Sequence, residues 1–199
     1  MVRLQGVPAT SRAVPNDLDQ WAMRFERRHV DLGTGDGKFA IQLARRQPTV
    51  GVVAVDTCLD HLSGPRRRDP ENVRFARLDA RDWQPGTLPV AHAVTINFPY
   101  GSLLRGLVEG DAGLLARLDS LLGAGSRLEI RVNESALIAT GLDPVRGPEA
   151  IAAAVRQLGG LRVDRRDLGQ PELRAFPSSW ARRLGYGKET WAWLIEAMR

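Results

Sequence analysis

Lysine is nearly missing from this chain, and cysteine is scarcer still. One cysteine, Cys58, stands among 199 residues. That excludes an internal disulfide and fits a reducing cytoplasm, with Cys58 buried near a helix start rather than reactive. Histidine is sparse too, at His29, His61 and His92. With one cysteine and scattered histidines there is no ligand spacing for zinc, so no metal is expected. The three histidines are expected to flank strands or lie on the surface. No apolar run approaches the roughly 20 residues of a membrane span. Residues 1–6 lack the apolar core of a secretory signal. Repeats and low-complexity linkers are also missing.

What remains has the composition of one soluble, monomeric domain over residues 1–199, with a short extension over about 1–15 that could form a hairpin. Hydrophobic content of 43% and charged content of 26% are ordinary. The net charge is +5, from 28 basic and 23 acidic residues, and lysine appears only at Lys38 and Lys188. Arginine suits bidentate phosphate contact and stacking on bases. It also accumulates in GC-rich genomes, so placement is more informative than total. Arg66, Arg67 and Arg68 form a block, and residues 174–188 hold Arg174, Arg182, Arg183 and Lys188 with no acid. Such clusters favour nucleic acid as partner.

The densest signal is Val30-Asp31-Leu32-Gly33-Thr34-Gly35-Asp36-Gly37-Lys38. A strand end runs into a glycine-rich loop, and a helical pattern follows. The next apolar run, Val52 to Val55, is closed by Asp56. A β-loop-α-β unit with an acid ending its second strand is the layout of a nucleoside-cofactor site. Backbone at Gly33, Thr34 and Gly35 can approach a ligand closely, and Asp56 can accept both hydroxyls of a ribose. Dinucleotide loops follow G-x-G-x-x-G, whereas here the third glycine comes one residue early. Acids at both ends, Asp31 and Asp36, repel a diphosphate. They suit a cationic ligand such as S-adenosylmethionine, with its ammonium and sulfonium groups.

Patterning predicts helices over about 17–26, 37–46, 57–62, 102–109, 111–122 and 148–157, with Gly123 capping the fifth. Strands are predicted over about 28–32, 51–55, 73–78, 93–96, 126–132, 161–168 and 190–197. An irregular basic loop is expected between the last two. Repeated β-α units with a final directly joined pair of strands imply an α/β fold. It is the class I (Rossmann-like) methyltransferase plan: a seven-stranded, mostly parallel sheet, helices on both faces, and one antiparallel strand. Ligands of such sheets lie beyond the carboxyl ends of the strands. Asp31, Asp56, Asp79 and Asn97 each follow one of the first four strands and are expected to face one crevice.

After the fourth strand comes Asn97-Phe98-Pro99-Tyr100-Gly101-Ser102-Leu103-Leu104. Proline between two aromatics makes a rigid, exposed platform beside the methyl donor. Farther on lies Phe176-Pro177-Ser178-Ser179-Trp180-Ala181-Arg182-Arg183-Leu184. Tyr100 and Trp180 could stack on both faces of an extruded base, with arginines on the adjacent phosphates. Three other readings stay open. One is an exocyclic-amine methyltransferase using the Asn97 amide and a proline carbonyl. Another is a tRNA guanine-N7 enzyme, whose Asn-Phe-Pro start continues differently. The last is a non-catalytic RNA-binding module.

These three motifs, in this order, resemble the aminoglycoside-resistance 16S ribosomal RNA methyltransferases that act on N1 of adenine-1408. The resemblance implies S-adenosylmethionine as cofactor and 16S rRNA in the 30S subunit as partner. It implies that Asp31, Gly33, Asp36, Asp56 and Ala80 line the cofactor pocket, with Ser102 near it. It implies that Tyr100 and Trp180 sandwich the flipped adenine, and that Arg182, Arg183 and Lys188, beside Ser178, hold rRNA phosphates. Tyr100 stands where the family usually carries tryptophan. The segment after the second strand is shortened, with the Arg66 to Arg68 block in place of a lysine-rich helix.

Overall fold

Strand β1 (Arg27–Leu32) sits inside the sheet, and both its faces find cover. Its alternate residues Val30 and Leu32 join a large apolar core, while His29 and Asp31 point to the other face. A computed structural model of the chain describes residues 17–58, 69–84, 86–186 and 191–199, except the side chains of Ser179, Trp180 and Arg183. The predicted hairpin over about 1–15, most of the helix predicted over 57–62, and Arg66, Arg67, Arg68 and Lys188 lie outside the described residues.

The seven strands take the order β3-β2-β1-β4-β5-β7-β6. They are β2 (Val50–Asp56), β3 (Val73–Arg77), β4 (Ala91–Asn97), β5 (Leu122–Asn133), β6 (Arg162–Asp167) and β7 (Ala192–Met198). Strand β7 runs antiparallel to both β5 and β6, and the other pairings are parallel. This is the predicted class I methyltransferase arrangement. Chain order reverses between β1 and β4, so the sheet opens a crevice beyond their carboxyl ends.

Helices α3 (Gly101–Glu109), α4 (Ala112–Leu121), α5 (Glu134–Ala139) and α6 (Gly147–Arg156) cover the large core. Their Leu104, Leu107, Leu114, Leu118, Leu137 and Ile151 meet Ile96, Leu128 and Ile130 of the sheet. Helix α1 (Leu18–Ala22) adds Trp21 to the same core. On the opposite face α2 (Lys38–Arg46) packs Ala40 and Ala44 on Val50, Val52 and Ala54. Also on that side, α7 (Gln170–Ala175) and α8 (Ser179–Tyr186) close a separate small cluster with Phe98, Leu168, Ala192 and Leu194. Among the described residues, no helix is long and apolar enough to cross a membrane.

Four local expectations are corrected. The first helix stops at Ala22, well short of residue 26. Gly123 does not cap α4, because the chain passes from Leu121 straight into β5 at Leu122. The segment between β6 and β7 is not irregular, since it folds into α7 and α8. The short helix α5 was not foreseen.

Candidate active site

The glycine loop turns where only glycine turns freely. Gly33, Gly35 and Gly37 have φ of 72°, 56° and 70°, the left-handed region that costs residues with a Cβ. The loop is fastened to the end of β2. Gly33 and Thr34 donate their N–H groups to the Val55 carbonyl at 2.8 and 2.9 Å. Gly35 N–H donates to Asp56 Oδ2 at 2.8 Å, and Cys58 N–H to Asp56 Oδ1 at 3.0 Å. Thr57 Oγ1 also donates to Oδ1, at 3.5 Å, so it is Oδ2 that keeps a further lone pair for a ligand hydroxyl. Asp36 is turned to its own helix instead, with Lys38 Nζ at 2.9 Å and Lys38 N–H at 3.2 Å.

Beyond this loop lies a cavity of about 290 Å³. Its walls include the predicted residues Gly33, Gly35, Asp56, Asp79, Ala80, Tyr100 and Ser102. Thr57, Leu78 and Leu103 also line it and were not foreseen. Phe98 and Pro99, expected beside the donor, line it too, but of the two aromatics only Tyr100 is exposed, Phe98 being buried. A Cβ on Gly33 would stand 3.2 Å from Leu103 Cδ2, so glycine there keeps the cavity open. The Arg81 guanidinium bonds Asp79 at 3.2 and 3.0 Å and holds its carboxyl below the usual range. A second hollow of about 400 Å³ shares Tyr100 and Ser102 with the first and is edged by Arg81, Arg105, Glu109 and Thr140. Tyr100, 61% exposed, stands where the two meet.

Asp31, Thr34, Asp36 and Asn97 are not among the lining residues. Asp31 is 1% exposed, within β1 and behind the loop. Its Oδ1 accepts from Thr95 Oγ1 at 2.7 Å and from Asn97 Nδ2 at 2.9 Å. Burial pushes its carboxyl up to about 6, against hydrogen bonding by Thr95, the neighbouring Thr34 and Asn97, and against the charge of Arg131. The Thr34 hydroxyl is buried without a partner in good hydrogen-bond geometry among the described residues. His29 is a correction to the sequence reading. It is not a surface flank but 6% exposed, with Nε2 2.9 Å from Thr95 Oγ1. Burial first, then Arg127 and Arg131, lower its pKa to about 3, so it is neutral.

Both ends of the Asn97 amide are engaged. Its Nδ2 serves Asp31, and its Oδ1 accepts from Arg131 Nη1 at 3.0 Å. An amide so placed is poorly free to grip an exocyclic amine. The next residue, Phe98, has φ of 53°, a strained value for a side chain with a Cβ. It is held by Phe98 N–H to Arg131 carbonyl at 2.8 Å and by edge packing on Phe176 at 5.7 Å. Phe176 also stacks on Phe39 of α2 at 5.2 Å.

Helix α8 carries Trp180, Arg182 and Arg183, and Ser178 leads into it. Arg182 is exposed. The Ser178 carbonyl accepts from Arg182 N–H at 3.1 Å. Arg174 is tied to the fold, with Nε on the Gly185 carbonyl at 2.8 Å and its guanidinium over Tyr186. Trp191, 62% exposed, was overlooked in the sequence. It precedes β7 at the carboxyl end of β5, where its carbonyl accepts from Glu134 N–H at 3.0 Å. Among the described residues no cluster of His, Cys, Asp or Glu could hold a metal ion.

Comparison with known proteins gives a consistent picture. The family model described as NpmA, 16S rRNA (adenine(1408)-N(1))-methyltransferase, matches residues 8–199. A 16S rRNA (adenine(1408)-N(1))-methyltransferase of Streptoalloteichus hindustanus is 28% identical over 189 residues, 87% of each chain. One from Escherichia coli is 23% identical over 192 residues, 87% of this chain and 88% of that protein. Among solved structures, a variant of the corresponding methyltransferase of Catenulisporales acidiphilia, with cosubstrate SAM, is 27% identical with a TM-score of 0.74 over 92% of each chain. The 16S rRNA methyltransferase KamB shares the fold, with a TM-score of 0.79 over 96% of each chain at 20% identity.

Proposed function

Because the chain belongs to the 16S rRNA (adenine(1408)-N(1))-methyltransferase family, we propose that it methylates N1 of adenine-1408 in the decoding site of the 30S subunit. S-adenosylmethionine is the donor, and aminoglycoside resistance is the consequence. Within the fold, the observation that carries this reading is the placement of Tyr100. An exposed aromatic ring stands at the lip of a cavity walled by a glycine loop and two carboxylates.

The residues suit the donor. Asp56 would hold the ribose, and Ala80 and Leu78 offer apolar contact for the adenine. Gly33 and Gly35 leave room along the backbone, and Asp31 supplies negative charge for the ammonium group from behind the loop. Asp36, occupied by Lys38, would act by fixing the loop rather than by contact. The bound donor supplies an activated methyl carbon, to which adenine N1 forms a bond as the carbon–sulfur bond breaks. The chain's own task is alignment. Adenine N1 has an in-plane lone pair and no proton to lose, so no general base is assigned. Tyr100 and Trp180 would clamp the extruded base, and Ser178, Arg182, Arg183 and Lys188, with the Arg66 to Arg68 block, would seat the phosphates beside it. Holding the base in line and out of its helix would supply most of the rate.

The test is methylation of purified 30S subunits followed by primer extension across the decoding site. A donor-dependent stop at adenine-1408, absent with Trp180→Ala, is expected. Modification at an exocyclic amine, or of tRNA alone, would refute the reading.

A further inference from the structure

The hydrogen bonds around Asp31 run one way. A guanidinium can only donate, so Arg131 Nη1, 3.0 Å from Asn97 Oδ1, forces the amide oxygen toward β5. The amide nitrogen must then face β1, where it donates to Asp31 Oδ1 at 2.9 Å. An ionised carboxylate can only accept, so the Thr95 hydroxyl donates to the same oxygen at 2.7 Å. With that hydrogen spent, the 2.9 Å contact between Thr95 Oγ1 and His29 Nε2 must be donated by the imidazole. Two arms, Arg131-Asn97 and His29-Thr95, therefore converge on one buried oxygen. Arg131 is itself anchored, by Glu129 Oε2 at 2.6 Å and by the Phe176 ring 4.8 Å away.

We propose that Arg131 and His29 are positioning residues of the cofactor site. Acting through Asn97 and Thr95, they keep Asp31 ionised and oriented before the ammonium group of the donor arrives. The proposal rests on the reading of Asp31 given above. Its physical basis is that a fully buried carboxylate holds its charge only if hydrogen bonds replace water. The margin is thin, since the carboxyl sits at about 6 with both arms in place. The ionisable groups about it are His29 on β1, Asp56 ending β2, and Asp36 and Lys38 beside the loop. On β5 they are Arg127, Glu129 and Arg131, with Glu172 on α7. Of these, His29 is neutral and Glu129 is paired with both arginines of its strand. Lys38 is paired with Asp36, and Arg131 is the cation whose charge lowers the Asp31 pKa.

The experiment follows Asp31 in cofactor-free protein by carboxyl carbon-13 NMR, and donor affinity by calorimetry, between about pH 4 and pH 8, below the loss of the donor's ammonium charge. Arg131→Met should raise the Asp31 midpoint by about one unit or more, which is about tenfold in the ionised fraction once the midpoint passes the working pH. Donor affinity near neutral pH should fall accordingly and recover toward the alkaline end. Arg131→Lys should restore part of it. Thr95→Val cuts the other arm, should shift the same midpoint upward, and serves if Arg131→Met fails to fold. An unmoved midpoint, or an affinity loss equal at every pH, overturns the proposal. Asp31→Asn separates the two layers. If it binds the donor like wild type, the placement of Asp31 fails. If it loses binding while Arg131→Met titrates like wild type, only the relay fails.

Discussion

At the scale of single residues, Tyr100 and Asp31 make opposite demands on the fold. Tyr100 is largely exposed, so a larger ring meets no packed wall. Tyr100→Trp should shift stability by no more than about 0.5 kcal/mol, as surface substitutions do. It should leave donor binding unchanged and hold or raise single-turnover methylation, because indole offers more stacking area. A destabilised and less active variant would show that the ring is not the platform. Asp31 is a buried charge whose folded pKa, about 6, lies above the ordinary 3.8. The sign follows: its contribution favours folding below about pH 4 and is lost as pH rises through about 6. Asp31→Asn should therefore stabilise the empty protein near pH 8 by about 1–3 kcal/mol, at about 1.4 kcal/mol per pKa unit, while impairing donor binding. Urea melts across pH check this. His29 has the reverse slope. Its pKa is lowered to about 3, so its contribution is full above about 6.5 and is lost as pH falls toward 3. Acid unfolding of Asp31→Asn should accordingly be steeper than that of wild type, because the opposing slope is gone.

At the scale of elements, the segment between β6 and β7 hangs on Phe176. That ring stacks on Phe39, meets Phe98 edge-on and lies under Arg131. Phe176→Ala should cost about 1–3 kcal/mol, less than the 3–5 of a fully buried phenylalanine, and should reduce methylation more than donor affinity. Melts and calorimetry on one preparation test both. These contacts also explain what could be read in the sequence and what could not. The glycine loop and the acid closing β2 were legible because both lie within one β-α-β unit, and periodicity placed all seven strands. Helices α7 and α8 were not, because such short helices carry too few turns for a periodic signal and are ordered by Phe39 of α2 and by Phe98, just past β4. His29 read as a strand flank because its partner Thr95 is brought to it only by the β1–β4 pairing. Asp79 at the cavity follows from the rule for strand ends, and Ala80 from the family resemblance. The withdrawal of Asn97 behind the cavity does not, since it depends on Arg131 of β5.

At the scale of the whole molecule, charge and packing divide the labour. The net +5 is modest, so placement rather than total should govern binding to RNA. Affinity for 30S subunits should fall steeply with salt, and Arg182→Ala should flatten the log-log slope by about one unit. An unchanged slope would remove Arg182 from the phosphate contacts. The packing is just as uneven. One large core serves the sheet, and a small separate cluster of Phe98, Leu168, Leu173, Ala181, Leu184, Ala192 and Leu194 carries α7 and α8. Amide hydrogen exchange should expose that division. Protection in β1, β4 and β5 should report global unfolding, whereas α7 and α8 should exchange through a cheaper local opening. A sub-denaturing dose of urea would then loosen α7, α8 and the Phe98 ring they cover, and methyl transfer should fail before the sheet itself unfolds.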